Sequence, residues 1–153
     1  LGTMAIRYKE LGHVGLRCKN YQVMYDFYTQ KLGFEEKFHL NNDDGSLWLT
    51  YLATGGGQYI EIFTDGYEGD NAYGKRSHAH FCLEVSNFPL ALDALEARGV
   101  QIYDGPAGAP LEKPYGKREP GMCGSLCAFI EDPEGNWIEI MQYTPRSMQI
   151  ICK

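Results

Sequence analysis

The chain repeats itself, and the repeat constrains its fold more than any other feature. His13-Val14-Gly15-Leu16-Arg17-Cys18-Lys19-Asn20-Tyr21 lies over His80-Phe81-Cys82-Leu83-Glu84-Val85-Ser86-Asn87-Phe88. In both copies a His opens an alternating segment and an Asn follows seven residues later. Asp26 and Asp93 keep the register, each 13 residues after its His. Later, Gly57-Gln58-Tyr59-Ile60-Glu61-Ile62 recurs as Gly135-Asn136-Trp137-Ile138-Glu139-Ile140. The His-to-Glu interval is 48 residues in the first half and 59 in the second. The extra 11 fall to Gly105–Gly124, a stretch rich in Gly, Pro and Lys that reads as a long loop. No hydrophilic linker separates the halves beyond Asp65–Ser77. The expectation is one domain over residues 1–153, sharing a core between modules of about 9–65 and about 77–143.

Each half carries the same order of local signals. Leu11–Cys18 alternates like a half-buried strand. Asn20 is an N-cap candidate for a helix over Tyr21–Leu32, and Gly33 is its expected stop. Phe34–Leu40, Leu47–Ala53 and Gln58–Thr64 read as strands. In the second half Asn87 caps a helix with Pro89 in its first turn and Gly99 at its end. Strands are expected near His78–Val85, Val100–Tyr103, Leu126–Glu131 and Trp137–Tyr143. The fold class is α+β, in the order βαβββ, twice.

Composition narrows the partners. With 14 Lys and Arg against 20 Asp and Glu, the 153-residue chain has a net charge of −6. An acidic chain without a basic stripe is not expected to bind nucleic acid or an anionic membrane surface. No apolar run approaches the roughly 20 residues of a bilayer span, and no basic-then-apolar leader opens the sequence. A cytoplasmic location is expected, with Leu1–Thr3 read as a vector remnant before Met4. The five cysteines make an odd count without a CxxC pair. They read as reduced thiols, several of them buried as small hydrophobes.

The two-residue period of a strand then sorts the side chains. His13, Gly15 and Arg17 share one face, while Val14, Leu16 and Cys18 pack under the helix. His80, Cys82 and Glu84 follow the same rule. Glu61 sits between Ile60 and Ile62, and Glu139 between Ile138 and Ile140. Each carboxylate therefore leaves the apolar face, alongside Tyr59 and Phe63 in one module and Trp137 and Met141 in the other. If both faces curl toward one cleft, two imidazoles and two carboxylates converge with approximate two-fold symmetry. That set suits one divalent first-row ion such as Ni, Co, Zn or Mn. A Glu between two Ile is ordinarily an edge residue, and a lone strand His is ordinarily structural. Chance supplies one such pair easily, but not the same pair twice in matched frames. His78 shares the face of His80, but the repeat selects His80 and leaves His78 on the rim. His39 has no counterpart and is expected at the surface.

These residues carry a family resemblance. The chain is similar to the vicinal oxygen chelate superfamily of glyoxalase I, bleomycin-resistance and extradiol-dioxygenase proteins. The matching features are Gly12-His13-Val14-Gly15-Leu16, Phe27-Tyr28 with Leu32-Gly33-Phe34, and the run from Ala128 to Ile140. The resemblance implies paired βαβββ modules forming an incomplete eight-stranded barrel around a metal. The glyoxalase I tetrad maps to His13, Glu61, His80 and Glu139, which points to lyase or isomerase chemistry without redox change. Such a site chelates adjacent substrate oxygens and stabilises an enediolate. One carboxylate moves the proton, with Glu139 favoured over Glu61 because Trp137 stands beside it.

Substrate contacts are assigned on the same basis. Arg17 stands where bacterial glyoxalase I has an Arg that contacts a glutathione carboxylate, or it is a surface charge at a strand end. Asp65 replaces an Asn of that family, which disfavours the anionic tripeptide. Arg17, Tyr59, Phe63 and Trp137 are the candidate substrate-binding residues. Lys113, Lys117 and Arg118 form a lid or, more simply, a solvated loop. The alternatives are another metalloenzyme of the superfamily, an epimerase or fosfomycin-type resistance enzyme, and a metal-free drug-binding protein with Trp48, Tyr59, Phe63 and Trp137 as stacking walls. A small-molecule substrate and a homodimer are expected, because each module leaves strand edges that closed pairing would cover.

Overall fold

The computed structural model describes residues 6–7, 9–66 and 79–152. Leu1–Thr3, His78 and most of the expected connector lie outside those residues. The first module runs β1 (His13–Arg17), α1 (Tyr21–Asp26), β2 (Glu35–Asn41), β3 (Leu47–Gly55) and β4 (Gln58–Phe63). The second runs β5 (His80–Glu84), α2 (Phe88–Ala97), β6 (Leu126–Glu131) and β7 (Trp137–Gln142), followed by a short α3 (Met148–Ile151). The first sheet has strand order β1-β4-β3-β2 and the second β5-β7-β6. In both, the His strand pairs parallel with the Glu strand, which pairs antiparallel with the strand before it.

Both helices begin as their sequences require. The Asn20 carboxamide accepts from Val23 N–H and that of Asn87 accepts from Leu90 N–H, each at 3.2 Å. Gly33 at φ +78° and Gly99 at φ +80° turn the chain out of the helical region, which a Cβ would strain. The first helix is shorter than its apolar pattern predicts. Its α-helical part ends at Asp26, and Phe27–Lys31 continue as one π-helical turn. That wider turn keeps Phe27 and Tyr28 in the interior.

One expected strand is missing. Val100–Tyr103 bury Val100 and Ile102 as a strand would, yet only Tyr103 pairs, with Phe129 and Pro110. The chain reverses at once: Asp104 N–H donates to Ala109 O and Leu111 N–H to Ile102 O, both at 2.9 Å. Pro110 has no N–H, so a ladder cannot extend through it. The second sheet therefore has three strands. The two open sheets do not close into a barrel within the chain.

The modules meet back to back. One buried cluster draws Leu16, Tyr28 and Ile62 from the first module and Phe88, Ile130 and Ile138 from the second. Tyr28 Oη donates to Asp132 Oδ2 at 2.7 Å inside this seam. The Glu134 carboxylate accepts from Lys19 N–H and Asn20 N–H, both at 2.9 Å. The turn between β6 and β7 thus supplies an anion to the positive end of α1, where N–H groups lack helical partners.

The loop over Gly105–Gly124 is fastened rather than free. Lys113 forms an ion pair with Glu96 of α2, and the buried Tyr115 donates its hydroxyl to the same carboxylate. Arg118 donates to the carbonyls of Cys127 and Asp104. Two of the three cations assigned to a lid are therefore engaged in holding the loop to its own module. Among the described residues no helix is long and apolar enough to cross a membrane.

Candidate active site

Sheet register turns face parity into rows. In the first sheet the row through Glu61 is Gly15–Glu61–Tyr51, with His13 opposite Tyr59 and Arg17 opposite Phe63. In the second the row is Cys82–Glu139–Phe129, with His80 opposite Trp137. His13 Nε2 lies 3.9 Å from Glu61 Oε2, and His80 Nε2 lies 3.7 Å from Glu139 Oε2. The two carboxylates are largely sheltered, while His13 and His80 remain substantially exposed. Each sequence-predicted pair is thus assembled on the helix-free face of its own sheet.

The pairs do not come together in one chain. Among the described residues no group of three or more His, Cys, Asp or Glu is placed to hold a metal ion. Each pair stays on the helix-free face of its own sheet, while one buried cluster joins the two modules. A groove of about 1100 Å³ does run between the β1 and β5 edges. It has His13 and His80 on its wall but neither Glu, and its lining of Val14, Ile60, Phe81 and Leu83 belongs to the helix side. The two His–Glu pairs therefore lie on the sheet faces, with only their histidines reaching this groove.

The remaining candidates fall into place around these pairs. Arg17 Nη1 donates to Asp65 Oδ2 at 3.0 Å and its guanidinium lies 5.5 Å from the centre of the Phe63 ring. Asp65 is thus the partner of Arg17, the cation expected to contact an anionic substrate. Phe63 meets Trp48 edge to face at 5.8 Å, and Trp137 meets Tyr103 at 5.3 Å. Tyr59 contacts Tyr51 at 5.6 Å. His39 is exposed, as expected, and lies 3.6 Å from Glu36.

Two residues went unnoticed in the sequence although the repeat marks them. Tyr51 stands ten residues before Glu61, and Phe129 ten residues before Glu139. Each lies opposite its Glu in the sheet. Each also meets the His of its module edge to face, Tyr51 with His13 at 5.7 Å and Phe129 with His80 at 5.3 Å. The cysteines differ from expectation too. Only Cys18 is buried; Cys123 and Cys127 are half-buried, Cys82 and Cys152 exposed, and all five are free. Burial pushes the Cys18 thiol up to about 12. Desolvation, then the nearby Glu139 charge, does the same for Cys82 and Cys127. Cys123 goes the other way, lowered by hydrogen bonds from the Ser125 backbone and the Gln149 and Ser125 side chains.

Comparison with known proteins places the chain in a family. The family model of the Glyoxalase/Bleomycin resistance protein/Dioxygenase superfamily matches residues 10–140. The chain belongs to this superfamily. Two lactoylglutathione lyases resemble it along most of both lengths. The Pseudomonas putida protein is 27% identical, with 87% of this chain and 84% of the relative covered. The Pseudomonas aeruginosa protein is 26% identical, with 85% and 80% covered. Among solved structures, the glyoxalase family protein from Enterococcus faecalis superposes with a TM-score of 0.64 at 25% identity. That match covers 88% of this chain and 98% of the other.

Proposed function

We propose that this superfamily member is a glyoxalase-like lyase or isomerase whose four ligand side chains hold one divalent metal ion. The observation that carries this reading is the duplicated His–Glu pair, with N···O separations of 3.9 and 3.7 Å. Donors bound to one ion at about 2.0–2.2 Å each stand no more than roughly 4 Å apart, so both pairs are spaced for sharing. Two imidazoles and two carboxylates form a borderline N/O set that suits Ni, Co, Zn or Mn. When bound, the ion would polarise adjacent oxygens of an α-hydroxycarbonyl or thiol-adduct substrate and offset the negative charge that builds there.

The chain's own residues supply the rest. Glu139 takes a proton from a carbon next to the carbonyl and returns it to the neighbouring carbon. Trp137, on the same face and two residues away, keeps water from that carboxylate. Arg17, Tyr59 and Phe63 line the approach from the first module. Because each face holds one pair, a symmetric homodimer completes each site with His13 and Glu61 from one protomer and His80 and Glu139 from its partner. The resemblance to lactoylglutathione lyases favours a methylglyoxal–thiol adduct as the substrate class.

Metal analysis and turnover of the methylglyoxal–glutathione adduct test the activity. About one ion per tetrad is expected, with turnover that ends when the ion is removed by chelation. His13→Ala or Glu139→Ala should abolish high-affinity metal binding. Mixing the two inactive variants should restore some activity, because one of the two sites in a mixed dimer receives four intact ligands. Full metal retention in the His13→Ala/Glu139→Ala double variant would sink the ligand assignment. A monomer with its metal fully bound would sink the shared site.

A further inference from the structure

We propose that Tyr103 is a specificity-determining residue: with Trp137 it forms an aromatic wall near Glu139 that favours substrates carrying an uncharged aryl group on the carbonyl carbon. The inference rests on the glyoxalase-like reading and assigns the part of the substrate that the second module receives.

The sheet register singles out this residue. In the first module the row through the carboxylate runs Gly15–Glu61–Tyr51–Phe38. In the second it runs Cys82–Glu139–Phe129 and continues past the last strand to Tyr103. Tyr103 N–H donates to Phe129 O at 2.8 Å, and Phe129 N–H to Tyr103 O at 2.9 Å. Residues directly opposite in an antiparallel pair share a face, so Tyr103 stands on the face of Glu139. The segment that fails to extend as a strand still delivers this side chain to the ligand side. Arg118 donates to Asp104 O and Cys127 O, which ties the chain just after Tyr103 to β6. A wall held in this way loses little freedom when a ligand settles on it.

The ring at the end of the row is used differently in the two modules. Phe38 stacks on Tyr51 with centroids 4.4 Å apart and planes at 17°, which closes the first row on itself. Tyr103 instead meets Trp137 edge to face at 5.3 Å and 85°. Both residues are only half-buried, so the pair presents ring surface to a ligand. Charge points the same way. Strands β5, β6 and β7 contain Glu84, Glu131 and Glu139 but no Lys or Arg, and alternation puts all three carboxylates on the ligand face. An anionic substituent finds no cationic partner on these strands, whereas a flat, uncharged one gains ring contact. The charged end of a thiol adduct is left to the first module, where Arg17 stands on the ligand face.

Turnover of the glutathione adducts of methylglyoxal and phenylglyoxal by the metal-loaded full chain reads this directly. The two adducts share the thiol and differ only in the group on the carbonyl. Their kcat/KM ratio is therefore insensitive to changes in folded fraction or metal occupancy, which act on both alike. Tyr103→Leu keeps the bulk of the side chain and removes the ring; the phenyl-to-methyl ratio should fall about fivefold, the scale of one aromatic contact. Tyr103→Phe should keep the ratio of the wild type. An unchanged ratio in Tyr103→Leu would overturn the inference while leaving the glyoxalase-like reading standing. So would an equal fall in Tyr103→Phe, because the hydroxyl rather than the ring would then matter, or an equal fall in Phe38→Leu, because the effect would then not belong to the second module. A wild-type protein that turns over neither adduct would overturn the glyoxalase-like reading, and this inference with it.

Discussion

The two modules share one plan and differ in the residues that surround their His–Glu pairs. The first has four strands, a glycine beside its carboxylate and a phenol across from it. The second has three strands, a cysteine beside its carboxylate and a phenyl ring across from it. The first also gathers Phe38, Tyr51 and Tyr59 into one aromatic face. The second has thiols in that zone, Cys82 in the carboxylate's row and Cys127 one row further. The duplicated scaffold keeps the positions of both His–Glu pairs and changes the residues around them.

The largest expected effect breaks the equivalence of the carboxylates. Glu139→Gln should lower turnover by about 10²–10⁴, the usual range for a lost general base. Glu61→Gln should instead act chiefly by weakening metal affinity, so excess metal should restore part of its turnover but none of that of Glu139→Gln. Paired kinetics across a metal titration separate the two; equal rescue of both would erase the distinction.

The thiols give the next contrast. Hydrogen bonds lower the Cys123 thiol while desolvation raises that of Cys127 to about 12, so Cys123 carries more thiolate at neutral pH. The greater nucleophilicity of the more basic thiolate offsets only part of this advantage. Iodoacetamide labelling read by mass spectrometry should therefore mark Cys123 well before Cys127 and the buried Cys18. Earlier labelling of Cys127 would contradict the assigned environments.

The seam between modules responds more modestly. Tyr28→Phe removes the donor to Asp132 and should cost about 1–3 kcal/mol in denaturant unfolding. Burial, followed by the Asp132 charge, holds the Tyr28 phenol well above 10. Its contribution is therefore complete below pH 10 and is lost as pH rises through the folded value. The difference between wild type and Tyr28→Phe should narrow above pH 10; a constant difference would place the phenol elsewhere. Glu134→Ala removes the acceptor at the start of α1 and should cost about 1 kcal/mol.

The smallest effect concerns Asp65. A half-exposed ion pair such as Arg17–Asp65 is worth about 0.2–1 kcal/mol. Asp65→Asn should therefore tighten binding of an anionic thiol adduct only a few-fold, lowering KM with kcat unchanged. A rise in KM would show that Asp65 itself contacts the substrate.

Much of this was legible because a strand has a period of two. His13, Glu61, His80 and Glu139 could be placed on the helix-free faces by parity alone, and the structure puts them there. Tyr51 and Phe129 were equally readable at ten residues before each Glu, but other aromatics in the same stretches hid the signal. The strand expected at Val100–Tyr103 failed because its apolar residues reported burial, which a loop over a core also provides. Arg17–Asp65 depends on how the chain leaves β4, which side-chain parity does not reach. The contacts of Tyr28 with Asp132 and of Lys19 with Glu134 join residues more than a hundred positions apart, where local patterning carries no information.

That last distance bears on how the chain is made. The N–H groups of Lys19 and Asn20 find their acceptor in Glu134, 115 and 114 residues downstream. A chain emerging from the ribosome at about 5–20 residues per second exposes α1 for several seconds before Glu134 exists. Through that interval the first module must keep its helix start in water and its seam residues Met24 and Tyr28 without their final cover. The order of synthesis therefore makes the later half the one that completes the earlier.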